Sequence, residues 1–186
     1  MRAEITKKLF TVAEYYRMAE VGILDPDARL ELLEGEIVEM SPVGVRHVMC
    51  VNRANMLFAR TLGDQVIVSV QNPVQLSEYT EPQPDIVLLR PREDFYGEKK
   101  ISWEDALLVI EVSDTTIRHD RDRKLPLYAK AGVSELWIED LRRNTIFVYR
   151  DPGPKTYATM LTFQRGDSIS VAAFPDIVFK VDDLIG

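Results

Sequence analysis

Ala106-Leu-Leu-Val-Ile-Glu-Val-Ser113 sets five apolar residues before Glu111 and one after it. A run this apolar belongs to a central strand covered on both faces. An ionised carboxylate there forfeits much of its hydration unless something compensates it. Glu111 therefore needs a cation, a raised pKa, or a place at the mouth of a cleft. Asp85 poses the same question upstream, because it opens Asp85-Ile-Val-Leu-Leu89 directly after Pro84. Proline can start a strand without breaking its ladder. Two acids entering a sheet core from neighbouring strands can converge, and like charges that close require a metal or a shared proton. Separate ion pairs with an Arg or Lys would account for each acid equally well on spacing alone.

Strand parity carries the reading outward. Leu107, Val109, Glu111 and Ser113 fall on one face, since strand side chains alternate with period two. A cleft that holds Glu111 thus holds Ser113. Downstream, Asp120, Lys124 and Tyr128 are spaced i, i+4, i+8 and share a helix face, from which a lysine can reach back to the strand end. A surface ion pair beside a packed tyrosine is the competing reading of that trio.

Around this centre the chain alternates helical and strand-like stretches. Thr11-Val-Ala-Glu14 is a capping box that predicts a helix through about Glu20. Residues Arg29–Met40 alternate apolar and charged positions about Gly35, which predicts a hairpin with glycine in its turn. Apolar spacing from Val45 to Leu62 predicts an amphipathic helix closed by Gly63. Strands are expected over Gln65–Val70, Asp85–Leu89, Leu107–Val112 and Ser134–Ile138. A helix over Asp120–Ala131, capped by Gly132, must start late or kink at Pro126. A last hairpin is expected from Thr145–Tyr149 and Thr156–Phe163 around Asp151-Pro-Gly-Pro154, and Arg90–Trp103 reads as a surface loop. The expectation is one α/β domain over residues 1–186, without repeats or linkers.

Composition narrows the function classes. With 186 residues, 46% hydrophobic and 28% charged, the chain has the make-up of an ordinary globular protein. Met1–Tyr16 lacks the apolar core of a signal peptide, and Glu4 and Glu14 argue against a transit peptide. No apolar run is long enough for a membrane span, and the lone Cys50 fits a reducing compartment as a buried thiol. A cytoplasmic protein without a membrane partner is expected. The net charge of −7 excludes a globally basic nucleic-acid binder. Contact with nucleic acid would then need a local basic patch, for which Arg118, Arg121, Arg123 and Lys124 are the candidates, diluted by Asp114, Asp120 and Asp122. His47 and His119 are 72 positions apart and form no zinc motif. His119 is expected on the surface, and Trp137 in the core. Neither a phosphate-binding glycine loop nor a nucleophile elbow is present.

Glu31-Leu-Leu-Glu-Gly35, Met40-Ser-Pro42 with His47, Pro84-Asp85 and Val109-Ile-Glu-Val-Ser113 occur in this order. They are followed by Asp120-x3-Lys124-x3-Tyr128-x3-Gly132-Val133 and Glu135-Leu-Trp137. Together they resemble the restriction endonuclease family catalogued as domain of unknown function 820, a branch of the PD-(D/E)xK nuclease superfamily. The resemblance runs from about Phe10 to Phe179. It implies an α/β (α+β) fold with a restriction-endonuclease-like core, a mixed β-sheet flanked by helices, and Mg²⁺ (or Mn²⁺) at the strand ends. Carried over by position, it makes Asp85 the acid of the Pro-Asp motif and a metal ligand, Glu111 the second acid and ligand, and the Val112 carbonyl a further ligand. The superfamily places a lysine two residues after the second acid, where this chain has Ser113. The chain resembles members in which that lysine has moved to the following helix, at Lys124. Glu31 matches an acid that completes the site, and His47 and Asp120 match recurrent positions. A homodimer is also implied.

That donor set suits Mg²⁺, which prefers hard oxygens and retains water. The chemistry implied is a metal-activated water attacking a phosphodiester, with Lys124 orienting the water or neutralising charge in the transition state. Three functions are therefore expected to compete: a Mg²⁺-dependent endonuclease acting on DNA or a related nucleic acid, a non-catalytic nuclease-like binding domain, and a metal-dependent enzyme acting on a small phosphorylated molecule.

Overall fold

Local signals in the chain explain most of the architecture seen in the computed structural model, which describes residues 6–186. The stretch Met1–Ile5, included above in the search for targeting signals, lies outside the described residues. Helix α1 (Val12–Glu20) starts on the expected capping box: Thr11 Oγ1 accepts the Glu14 N–H at 3.1 Å, and Glu14 Oε2 accepts the Thr11 N–H at 2.8 Å. Strands β1 (Leu30–Leu33) and β2 (Glu36–Glu39) form the hairpin. Its turn residues Glu34 and Gly35 both have positive φ, 50° and 78°, the conformation that matches strand twist in a two-residue turn. A Cβ at Gly35 would stand 2.6 Å from the Leu9 Cβ, so glycine is also required by the close approach of the N-terminal segment.

Helix α2 (Val45–Leu62) ends at Gly63 as expected, and a 3₁₀ turn (Gly63–Gln65) leads into β3 (Ile67–Val70). Strand β4 (Ile86–Leu89) and β5 (Ala106–Ser113) follow. The connection to the next strand is helical throughout. It begins at α3 (Ile117–His119), passes through a π-helical segment (Asp120–Lys124) and continues as α4 (Leu125–Ala131). The regular α-helix starts late, as expected, with Pro126 in the first turn of α4, where a missing donor costs nothing. What was not expected is that the residues before it are also helical, as a π-helical segment.

Strands β6 (Glu135–Asp140), β7 (Thr145–Pro152) and β8 (Tyr157–Gln164) complete a six-stranded sheet in the order β3-β4-β5-β6-β7-β8. Only the β5–β6 pair is parallel, as the helical crossover between them demands. The short pair β9 (Ser168–Ile169) and β10 (Phe179–Lys180) and the helix α5 (Val181–Ile185) close the chain, and the sequence reading did not anticipate them.

Two apolar layers flank the sheet. On one face α2 and α5 cover Leu108, Ile110, Val112 and Trp137 through Phe58, Leu62 and Leu184. On the other, α4 and the first hairpin cover Val109, Leu136 and Ile138 through Leu33, Leu125 and Tyr128. Cys50 is a buried thiol, donating to the Ile185 carbonyl at 3.2 Å. No described helix is long and apolar enough to cross a membrane.

Candidate active site

β4 and β5 run antiparallel with Ile86 opposite Ile110 and Val87 opposite Val109. Continuing that register by one residue sets Asp85 directly across from Glu111. The contacts agree: Asp85 Oδ2 accepts the Val112 N–H at 2.8 Å. Pro84 starts this approach, and the strand that it precedes is buried along its length. That the two acids stand opposite one another, which spacing alone could not establish, is thus a consequence of strand register.

Parity then places the neighbours. Val109, Glu111 and Ser113 face the α4 side, where the i, i+4, i+8 trio meets them. Lys124 Nζ lies 3.2 Å from Glu111 Oε1 and 3.0 Å from Glu31 Oε2, bridging the hairpin acid to the central-strand acid. Tyr128 donates its hydroxyl to Glu111 Oε1 at 2.7 Å. Asp120 turns instead to Ser113 Oγ at 2.5 Å and Thr116 Oγ1 at 2.8 Å, both donating to its Oδ2. The competing reading, a surface ion pair beside a packed tyrosine, is excluded by burial: Lys124 is only 4% exposed. From α2, His47 Nε2 reaches Asp85 Oδ1 at 3.0 Å, and Gln71 donates to the same oxygen at 3.3 Å. Glu31, Asp85, Glu111, Lys124, His47 and Asp120 all line one cleft of about 530 Å³.

The electrostatics follow from crowding acids in a buried space. Burial raises the Glu111 carboxyl well above its ordinary range. Lys124 opposes the shift, and Asp120, Asp85 and Glu31 add to it. Burial likewise raises Asp120, against the pull of Lys124 and its hydroxyl donors. Burial alone would lower Lys124, but Glu111 and Glu31 hold its proton and leave it above the usual lysine value. The Tyr128 hydroxyl is pushed well up by burial and by Glu111, so it acts as a donor.

Four buried acids against one buried ammonium leave a demand for positive charge, and their oxygen donors match what Mg²⁺ or Mn²⁺ takes. Among the described residues no three His, Cys, Asp or Glu side chains are spaced to hold one ion together. In this arrangement the Lys124 ammonium stands between Glu31 and Glu111, and Asp85 is engaged with His47 and Val112. The residues fit a metal in kind; seating one calls for the lysine to give way.

Two expectations need correction. His119 is not simply a surface residue: its side chain is 35% exposed and its Nε2 lies 3.4 Å from Glu31 Oε1. The basic cluster on the helix also disperses. Lys124 turns inward, Arg123 pairs with Glu36 at 3.3 Å, and Arg121 lies over the Phe147 ring. Arg29 and Arg118 are the arginines that line the cleft.

Sequence reasoning also passed over Glu139. It is fully buried on β6 beside Val112, and neither carboxylate oxygen has a partner among the described residues. Burial, then the charge of Asp85, raises it to about 8. Its signal was visible in Leu136-Trp-Ile-Glu-Asp140, an acid inside an apolar strand. Gln83, whose backbone N–H donates to Glu31 at 3.3 Å, carried no such signal.

The family model for Uma2, described as "Putative restriction endonuclease", matches residues 12–182. No curated protein matches the chain. Among solved structures, one from Anabaena variabilis, described as "a putative nuclease belonging to DUF820", superposes with a TM-score of 0.71 at 16% identity, covering 95% of this chain and 97% of that one. That likeness shows the restriction-endonuclease-like α+β fold expected from the ordered motifs.

Proposed function

The chain belongs to the Uma2 family, described as "Putative restriction endonuclease", and on that premise we propose that it is a Mg²⁺-dependent endonuclease hydrolysing phosphodiester bonds of DNA or a related nucleic acid. The observation that carries this reading is the placement of Asp85 opposite Glu111 in an open cleft, with Lys124 held against Glu111 from the crossover helix. A separate binding role needs no such buried cluster, which costs stability to maintain.

In this proposal the domain spans 1–186, and Asp85 and Glu111, with the Val112 carbonyl, hold the ion. A divalent ion there would supply an activated water and polarise the scissile phosphate. Glu31 anchors Lys124 in the resting arrangement. Lys124 supplies positive charge to the phosphate in place of the lysine missing at Ser113. Tyr128 fixes the rotamer of Glu111 through its hydroxyl. His47 orients Asp85, and Ser113 with Asp120 braces the start of the helix that carries Lys124. Arg29 and Arg118 are positioned to meet the phosphate backbone at the cleft rim. The protein acts in the cytoplasm, as a homodimer.

The dispersal of the helix arginines and the net charge of −7 favour a second reading, a nuclease-like domain that binds without cutting. Asp85→Asn and Glu111→Gln separate the two. Each is expected to abolish Mg²⁺-dependent cleavage of a DNA substrate while preserving the circular dichroism of the wild type. Cleavage that survives both substitutions, or a wild type that never cuts at any Mg²⁺ or Mn²⁺ concentration, counts against the endonuclease.

A further inference from the structure

β8 is an edge of the six-stranded sheet, and no described strand pairs with its outer side. Only at its end does Asp167 accept the Gln164 N–H at 2.7 Å and donate its own N–H to the Gln164 carbonyl at 3.0 Å. Its sequence, Tyr157-Ala-Thr-Met-Leu-Thr-Phe-Gln164, holds neither a charge nor a proline, and it keeps a single register with β7 without a bulge. Edge strands left to solvent are ordinarily guarded by lysine, proline, a bulge or a covering segment. Here the charges stand just outside the strand, at Lys155 in the preceding turn and at Arg165 and Asp167 after it. Met160 and Leu161, 52% and 39% exposed, project from opposite faces of this edge.

We propose that β8 pairs antiparallel with β8 of a second copy of this chain, about a two-fold axis at Leu161, joining the two sheets into one. The occupant follows from the chemistry of the edge. The unpaired backbone N–H and C=O groups ahead of Gln164 are satisfied by another strand, and an uncharged strand meets its own copy without opposing like charges. The register follows from parity and charge. Facing residues must point to the same side of the sheet, so the axis passes through a residue. At Leu161, that side chain faces its own counterpart, Met160 faces the counterpart of Thr162, and the Lys155 turn meets the Asp167 turn. An axis at Met160 would set Lys155 against Arg165, two like charges at each end. β6 and β7 separate β8 from β5, so the cleft remains open in the pair. The inference rests on the homodimer of the proposed function for its stoichiometry alone, and on none of its chemistry.

Cysteine cross-linking of the full chain tests the register. Cys50 is buried and is the chain's one native cysteine, so Leu161→Cys adds a single accessible thiol. Residues facing each other across the axis stand about 4.5–5.5 Å apart between Cα atoms, within disulfide reach. Leu161→Cys is therefore expected to oxidise to a covalent dimer. Met160→Cys, displaced from its counterpart by two residues to about 7–8 Å, is expected to cross-link several-fold more slowly. In sedimentation, wild type is expected to be a dimer and Leu161→Lys a monomer, because two ammonium groups would meet on the axis. Equal cross-linking of the two cysteine variants overturns the register. A dimer untouched by Leu161→Lys overturns the surface and leaves the proposed homodimer standing. A wild-type monomer at every concentration overturns both, while neither outcome bears on metal binding or cleavage.

Discussion

Lys124 is the residue on which the charge balance of the cleft turns, because Glu31 and Glu111 are both buried against its ammonium. Removing one partner of a buried ion pair leaves an uncompensated charge, so Lys124→Met is expected to destabilise the chain by about 3–5 kcal/mol without metal. Added Mn²⁺ is expected to recover more of the melting temperature in this variant than in wild type. A variant that melts like wild type would mean the acids are neutral and the pairing idle. Tyr128→Phe deletes the hydroxyl that donates to Glu111 and is expected to cost about 1.5–3 kcal/mol in chemical denaturation, the range for a hydrogen bond to a charged group. Glu139 gives the clearest pH signature. Its carboxyl is raised from 4.5 to about 8 in the folded chain. Between those values the folded chain keeps a proton that the unfolded chain has released, so its contribution to stability falls as pH rises through that window. Glu139→Gln removes the titration. It is expected to exceed wild type in stability above pH 8, on the order of a few kcal/mol, and to converge with it near pH 4.5. Parallel denaturation curves at both ends of the window would refute this.

At the scale of elements, the site is assembled by a hairpin, two strand ends and a helix, each legible to a different degree. The hairpin was readable because Gly35 interrupts an alternating pattern, and its glycine is held by both φ and the approach of Leu9. Gly35→Ala is expected to cost about 1–3 kcal/mol through overpacking, read from the denaturation midpoint, and to loosen β1 and with it Glu31. The α2 boundaries were readable for the same kind of reason: a periodic stretch ends on glycine. The π-helical segment was not. Proline shows where a donor is missing, but which turn widens depends on what the helix packs against, here the inward pull of Lys124 and Tyr128 on Glu111. Parity put Ser113 on the face of Glu111 and so into the cleft, but Ser113 is fully buried against Asp120 and does not line it. The pairing of Asp85 with Glu111 needed the register between β4 and β5, which no local pattern encodes. His119 was misjudged for a similar reason, since its contact with Glu31 arises only when hairpin and crossover helix meet.

For the whole molecule, composition spoke to the class of protein and the ordered motifs to the family, while the C-terminal segment that packs on α2 stayed silent because its elements are too short for periodicity. Net charge argued against a broad basic surface; of the helix arginines, Arg123 pairs with Glu36 and Arg121 lies over the Phe147 ring. Arg29 and Arg118 line the cleft and are the proposed phosphate contacts. Charge removal at Arg118, as Arg118→Gln, is expected to weaken DNA binding about equally across sequences and to lower its salt dependence by roughly one unit of slope, checked by titration at several salt concentrations. The central claim is that Asp85 and Glu111 hold one divalent ion between them. A crystal soaked in Mn²⁺ tests it most directly. The expected result is a single anomalous peak within about 2.0–2.6 Å of a carboxylate oxygen from each residue, with Lys124 shifted off Glu111. Carboxylate oxygens more than about 5 Å apart at their nearest, beyond what two such bonds can span, with no peak between them, would contradict it.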